Sequence, residues 1–410
     1  MNVMIIARSF CCAAFLLAVP FPGTAQSIFT AAEIDGIKAF LRDDLTQTNA
    51  ALVIGLVDEN GRQVFGAGTL DNGTRQKPDG DTVFFLGSVS KTFTTLLLED
   101  MVDRGQMKLD DPVAGYLPAS VRMPARNGKE ITLFHLASAS AGIPINPDNM
   151  TGADVREQYE TYTVEKMYAY LSGFTLTRDP GTEFEYSNLG MALLGHVMAL
   201  KVGTNFESLL VSRICRPLHM DSTCITLTPE LKTRLAMGHD ASGKPSPPWK
   251  FQVYSPAGNI HSTANDLLKY ASANAGLTTS SLTPLMAKTH EFRFTDLRGL
   301  AELPASGLFG RTGMDWVDRG VQPPGMDLRG HAGGSGSYHA WVGFDKKQRR
   351  GVVVLSTANN ILSVEAVGWT LLRRLPLTRE SALHFEREIV GLGASLAADD
   401  AAGMVRITKI

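Results

Sequence analysis

"FFLGSVSKTFTT" spans residues 84–95, and the fold turns on what its Ser88 and Lys91 are for. The two side chains stand three positions apart, with Gly87 before them and an apolar, Thr-rich run after them. Residues i and i+3 share one face of a helix, so a helix starting here would aim the Lys91 amine at the Ser88 hydroxyl. A serine hydroxyl is a weak nucleophile unless a base takes its proton and donors receive the developing oxyanion. A helix N-terminus supplies free N–H groups and the positive end of a dipole. A buried lysine beside another cation or dipole can give up its proton and become that base. Ser-x-x-Lys also arises by chance. Alone it reads more simply as one turn of an amphipathic helix carrying a surface pair.

Two later stretches change that balance. In "EFEYSNLGMALLGHVMA" (183–199), Tyr186-Ser187-Asn188 opens a strongly helical run after the turn "DPGTEF". A phenol there can move a proton, and the neighbouring amide can hold a substrate carbonyl. By itself the tripeptide is an ordinary helix cap. In "RGHAGGSGSYHAWVGF" (329–344), a Gly-rich run leads into a strand expected from Ser337. Consecutive glycines allow close approach to the backbone, so an N–H here could complete an oxyanion hole with that of Ser88. By itself this too is a common loop.

The chain around these stretches begins helix, strand, strand. Residues 30–46 place Ile34, Ile37, Phe40, Leu41 and Leu45 at helical spacing, with Thr30 and Glu33 as a capping pair. "ALVIGLV" and "RQVFGAG" flank Asn60-Gly61, a hairpin signal. A second hairpin is expected from "SYHAWVGF" and "GVVVLST", followed by an amphipathic helix over 361–374. Residues 240–256 and 318–328 read as loops. These elements predict an α/β (α+β) domain over 26–377. Its mixed, mostly antiparallel sheet would come from both chain ends (about 30–87 and 276–377), flanked by helices. A large helical insertion (about 88–275) would lie against it, and 378–410 would form a tail.

Ser-x-x-Lys, Tyr-x-Asn and a late Gly-containing triad occur here in the order of a known signature. The chain resembles the serine β-lactamase and penicillin-binding protein superfamily. It is most similar to class C (AmpC-type) β-lactamases, AmpH-type D-alanyl-D-alanine carboxypeptidase/endopeptidases and related esterases. "RGQMKLDDPVAGYLP" (104–118), "ITLFHLASASAGIP" (131–144), "ICRPLHMDST" (214–223) and "GNIHSTANDLLKY" (258–270) extend the likeness over most of 30–375. The resemblance implies a β-lactamase/transpeptidase-like fold. It makes Ser88 the acylated nucleophile, with Lys91 and Tyr186 sharing the proton work. Asn188 would position the substrate amide, and the N–H groups of Ser88 and Gly334 would form the oxyanion hole.

His331-Ala332-Gly333 stands where that family carries Lys-Thr-Gly. A lysine would hold a fixed positive charge toward a substrate carboxylate. A histidine, with an ordinary pKa of about 6.5, holds only part of one. Carboxylate affinity through His331 should then weaken between about pH 6 and 8. β-Lactam hydrolysis is the first expectation, D-alanyl peptide hydrolysis the second, ester hydrolysis the third. A penicillin-binding sensor that acylates without turnover is the non-enzymatic alternative. His135 reads as a helix-start residue, His196 as core, and Trp249 and Tyr254 as candidates to border the substrate.

Composition is globular, at 44% hydrophobic and 20% charged, and a net charge of −2 points to no nucleic-acid or anionic-membrane partner. Residues 1–25 read as a secretory leader: Arg8, the short apolar run "CCAAFLLAVPF", and Gly23 and Ala25 before Gln26. Export to a periplasmic or extracellular space, as a monomer without a stable membrane anchor, is the resulting expectation. Cys215 and Cys224 would remain, as a disulfide or as two separate thiols. No His, Asp or Glu group shows metal-ligand spacing, so neither metal nor cofactor is expected. The partner is a small-molecule or peptide substrate.

Overall fold

The structure, a computed structural model, describes residues 30–45, 50–240, 242, 244–291, 311–318, 323–358 and 363–384. The expected leader at 1–25 and most of the expected tail lie outside them. Helix α1 (Ala31–Leu45) begins at the expected capping box: Glu33 N donates to Thr30 Oγ1 at 3.2 Å and Thr30 N to Glu33 Oε2 at 2.9 Å. Strands β1 (Ala51–Asp58) and β2 (Gly61–Gly68) pair around Asn60-Gly61, as the turn signal predicts. Strand β3 (Val83–Phe85) pairs instead with β4 (His261–Thr263) in a separate ribbon.

The main sheet is completed near the C-terminus by β5 (Arg311–Thr312), β6 (Val317–Asp318), β7 (Leu328–Ser335), β8 (Tyr338–Asp345) and β9 (Arg350–Ser356). Its order is β2-β1-β9-β8-β7-β6-β5, so the two ends of the chain meet where β1 pairs with β9. Every described pairing in it is antiparallel, and the isolated bridge Val83–Leu235 is parallel. The Gly-rich run is strand rather than loop. It forms the end of β7, and Gly336-Ser337 is a tight turn into β8.

Side-chain alternation splits the apolar residues into two cores. On one face, Ala51, Val53 and Val57 join Val353 and Leu355. On the other, Leu52, Ile54 and Leu56 join Val352 and Val354. β1 is therefore buried on both faces, which explains why "ALVIGLV" shows no polar alternation.

Helix α2 (Ser90–Asp103), α3 (Asn188–Val202), the short α4 (Ser255–Gly258) and α5 (Ala264–Asn274) contribute to the first core. Helix α1 and α6 (Val364–Leu372) cover the second face, where Trp341 and Trp369 meet edge to face at 5.2 Å. α5 packs directly on β1, with Leu268 under Gly55. The last part of the expected helical insertion is thus a sheet-covering helix. Leu377 and Ala382 are buried in the second core, so the chain past α6 turns back onto this layer. Cys215 and Cys224 are free thiols, and burial pushes Cys224 up to about 12.

Candidate active site

A single turn of 3-10 helix, Gly87–Val89, runs straight into α2. Ser88 lies in that turn and Lys91 in the first turn of α2, so the i,i+3 geometry holds. Lys91 Nζ is 2.9 Å from Ser88 Oγ and donates to the Ala257 carbonyl at 2.8 Å. α4 presents that carbonyl and is tied to α2 by Thr94 Oγ1, which donates to Pro256 O at 2.7 Å. Lys91 is 1% exposed, and burial pushes its pKa down to about 7 against the opposing pull of Asp315. An amine poised there can take a proton from Ser88.

The nucleophile turn touches β7 backbone to backbone. A Cβ on Gly333 would lie 2.7 Å from Ser88 N and from Val89 N, and closer still to Leu86 O. Gly87 has φ +52 and faces Gly334 in the same way. Glycine at both positions is what allows β7 to approach Ser88.

Tyr186 precedes α3, whose N-cap Ser187 accepts from Gly190 N at 2.9 Å and donates to Pro144 O at 2.7 Å. These bonds aim Tyr186 back toward α2. Its ring centroid is 4.7 Å from Lys91 Nζ, and its phenol shares a hydrogen bond with Ser88. Burial, with the Asp315 charge adding to it, pushes the phenol pKa well up and keeps it neutral. Asn188 Nδ2 donates to Tyr159 OH at 3.0 Å, and Tyr159 OH donates to Asn146 Oδ1 at 2.9 Å. The Tyr159 ring packs against Trp249, Phe251 and Tyr254. Tyr159 was not legible as a site residue. Half-buried Trp249 also stands over the Gly336 turn, whereas Tyr254 is fully buried behind it.

Strand parity places His331 on the same face of β7 as Gly333. It is buried, and its Nδ1–H donates to Ala332 O at 2.6 Å. That bond leaves Nε2 facing inward, 3.9 Å from Asp315 Oδ1. Asp315 is the second residue that sequence reasoning missed. It sits in the Gly313–Trp316 turn between β5 and β6, closed by Gly313 N donating to Trp316 O at 2.9 Å. Met314 O accepts from Thr95 Oγ1 at 3.2 Å, which pins the turn to α2 one helical turn beyond Lys91. Burial pushes the Asp315 carboxyl up to about 7 against the pull of Lys91. "RTGMDWV" contains no local sign that this acid lies beside Lys91 and His331.

The other histidines stay out of the centre. His135 completes a capping box with Thr132, and His196 bonds Tyr168 OH at 2.6 Å. His339 shares the Trp341 face of β8, turned from Ser88. Among the described residues no group of His, Cys, Asp or Glu could hold a metal ion, and no helix is long and apolar enough to cross a membrane. A cavity of about 330 Å³ bounded by Val57, Arg62, Leu218 and Lys269 contains none of these groups.

A serine in a helix-entry turn, a lysine of lowered pKa beside it and a neutral tyrosine across from it are thus brought together. Residues 38–375 match the Beta-lactamase family, and the chain belongs to it. The D-alanyl-D-alanine-carboxypeptidase/endopeptidase AmpH of Escherichia coli (strain K12) is 31% identical over 223 residues. That match covers 54% of this chain and 56% of AmpH, so the chain spans little more than half the length of that relative. A β-lactamase of Pseudomonas fluorescens is 26% identical over 333 residues, covering 76% of this chain and 90% of its own. The fold matches a β-lactamase/D-alanine carboxypeptidase from Yersinia pestis complexed with citrate, with TM-score 0.71 and 22% identity over 85% of this chain and 98% of that one. A class C β-lactamase from Rhodobacter sphaeroides gives TM-score 0.68 at 22% identity, covering 84% and 99%. The architecture is the β-lactamase/transpeptidase-like fold.

Proposed function

We propose that this chain is a serine hydrolase working through an acyl-enzyme on Ser88. The observation that carries this is the buried Lys91 amine, 2.9 Å from Ser88 Oγ and with its pKa lowered toward neutrality. Neutral Lys91 takes the Oγ proton as Oγ attacks the substrate carbonyl. The oxyanion is received by the N–H groups of Ser88 and Gly334, which the Gly87 and Gly333 contacts bring together. Tyr186, neutral and bonded to Ser88, passes the proton to the leaving group. Water then attacks the acyl carbon by the same relay in reverse and frees Ser88. Asn188, steadied by Tyr159, holds the substrate amide.

A β-lactam is the first substrate class, because the resemblance is strongest at the nucleophile and the P. fluorescens β-lactamase matches along 76% of the chain. A D-alanyl peptide is the second, on the likeness to AmpH. A neutral acyl ester is favoured by one specific observation, the facing of His331 by the protein's own Asp315. The enzyme would act outside the cytoplasm after loss of residues 1–25, as a monomer.

Replacing Ser88 with Ala tests the reading. Turnover of nitrocefin and of a short acyl ester should fall at least about 10³-fold, and mass spectrometry should no longer find an adduct with benzylpenicillin. Undiminished turnover refutes the nucleophile. A long-lived adduct on the unaltered protein, with no turnover of any substrate, identifies a sensor instead.

A further inference from the structure

Asp315 is a carboxyl that the acyl-enzyme chemistry does not use. It is 6% exposed, and its Oδ2 has no hydrogen-bond partner among the described residues. Such a group costs free energy to bury. Its turn is nevertheless firmly held: Thr95 Oγ1 binds Met314 O, Met314 N donates to Thr289 O at 3.0 Å, and Trp316 stacks on Tyr270. Tyr270 in turn stacks on Phe93 of α2 at 4.2 Å. The fold thus fixes an acid near Lys91 and Tyr186, which both bond Ser88, and 3.9 Å from His331.

The consequence is one of charge. A substrate with a carboxylate beside its scissile bond needs a positive charge to meet it. His331 is the side chain in that position on β7. Its inward Nε2 already faces a carboxylate, that of Asp315, at 3.9 Å. A positive charge on His331 or Lys91 therefore has the Asp315 carboxyl beside it as an internal partner. An anion entering the site would compete with Asp315 for those positive charges.

We propose that Asp315 is a specificity-determining residue that occupies the charge partners a substrate carboxylate would use, and so selects acyl donors with no carboxylate beside the scissile bond. This rests on the acyl-enzyme reading of Ser88 and adds the substrate class. On this observation the neutral acyl ester moves ahead of the β-lactams and D-alanyl peptides that rank first on resemblance.

Asp315 has φ +61, a conformation that Asn also tolerates, so Asp315→Asn removes the charge with little change of shape. The test uses the full chain and two esters that differ in one group: phenyl phenylacetate and its meta-carboxyphenyl counterpart. The unaltered protein should prefer the neutral ester. Asp315→Asn should raise the ratio of kcat/KM for the anionic ester over the neutral one about tenfold, equivalent to ~1.4 kcal/mol. A purely structural role for Asp315 would lower both rates and leave the ratio alone. Asp315→Gly, which also removes the charge and suits φ +61, should move the ratio the same way and carries the test if Asp315→Asn does not fold.

A ratio that stays within twofold in the variants that fold overturns the inference, as does a tenfold preference of the unaltered protein for the anionic ester. Ser88→Ala separates the two claims. If it still hydrolyses both esters, the acyl-enzyme reading has failed. If it is inactive and the ratio does not move, only the role of Asp315 has failed.

Discussion

One wall of the site is the Gly87–Val89 turn and the first turn of α2, where Ser88 and Lys91 meet within a single stretch of chain. The opposite wall is β7 with the β5–β6 turn, where His331 and Asp315 meet from two separate elements. The first wall is local: one helical turn sets the distance between Ser88 and Lys91. The second depends on sheet register and on a turn pinned to α2 through Thr95. A site built this way can keep its nucleophile while its charge selection changes. A substitution at a turn residue such as Asp315 should leave the Ser88–Lys91 spacing, set within one helical turn, in place.

The sharpest way to break this contrast is on the local wall. Lys91→Met keeps length and burial but removes the base, and kcat/KM for any acyl substrate should fall about 10³-fold. If Lys91→Met retains most of its activity, the base lies elsewhere, and the second wall becomes the place to look for it.

The contact between the walls comes next. Gly333→Ala puts a Cβ 2.7 Å from Ser88 N and nearer still to Leu86 O, so β7 must withdraw from the nucleophile turn. Activity should fall about 10²-fold as the oxyanion donors separate, and the Tm should drop with it. An unchanged rate and Tm would show that the backbone contact does not set the site.

The smallest effect concerns pH. Burial lowers the Lys91 pKa to about 7, and its unprotonated form is the proposed base. kcat/KM should therefore rise with pH up to about 7 and level off above it. The Asp315 charge raises the Lys91 pKa, so Asp315→Asn lowers it and moves this limb to lower pH. A pH–rate profile of both proteins on a neutral ester checks the direction. A limb that moves up instead would mean that Asp315 acts on Lys91 by some route other than its charge.

Much of this was legible before any coordinates. The Thr30–Glu33 capping box, the Asn60-Gly61 hairpin and the Ser187 helix cap are local hydrogen-bond patterns, and each appears where its residues predict. The Gly-rich run was less transparent. Its glycines resemble a loop, yet they end β7, because the nucleophile turn crosses the strand so closely that no Cβ fits. α5 looked like part of a helical insertion because its sequence shows only that it is a helix, not that Leu268 lies under Gly55 of β1.

Ser88, Lys91, Tyr186 and Asn188 were set out by the sequence as motifs in the order of a known signature, and their one-turn spacing and helix starts depend on forces that act over a few residues. The environment of those residues was decided only by the tertiary structure. Burial lowers Lys91, Tyr159 holds Asn188, and strand parity turns His331 inward onto Asp315. The reason is physical. Desolvation and charge coupling depend on what packs around a group, and here the neighbours come from parts of the chain far apart in sequence. "RTGMDWV" carries the acid, but only the register of β5 to β7 and the bond from Thr95 place it opposite the nucleophile.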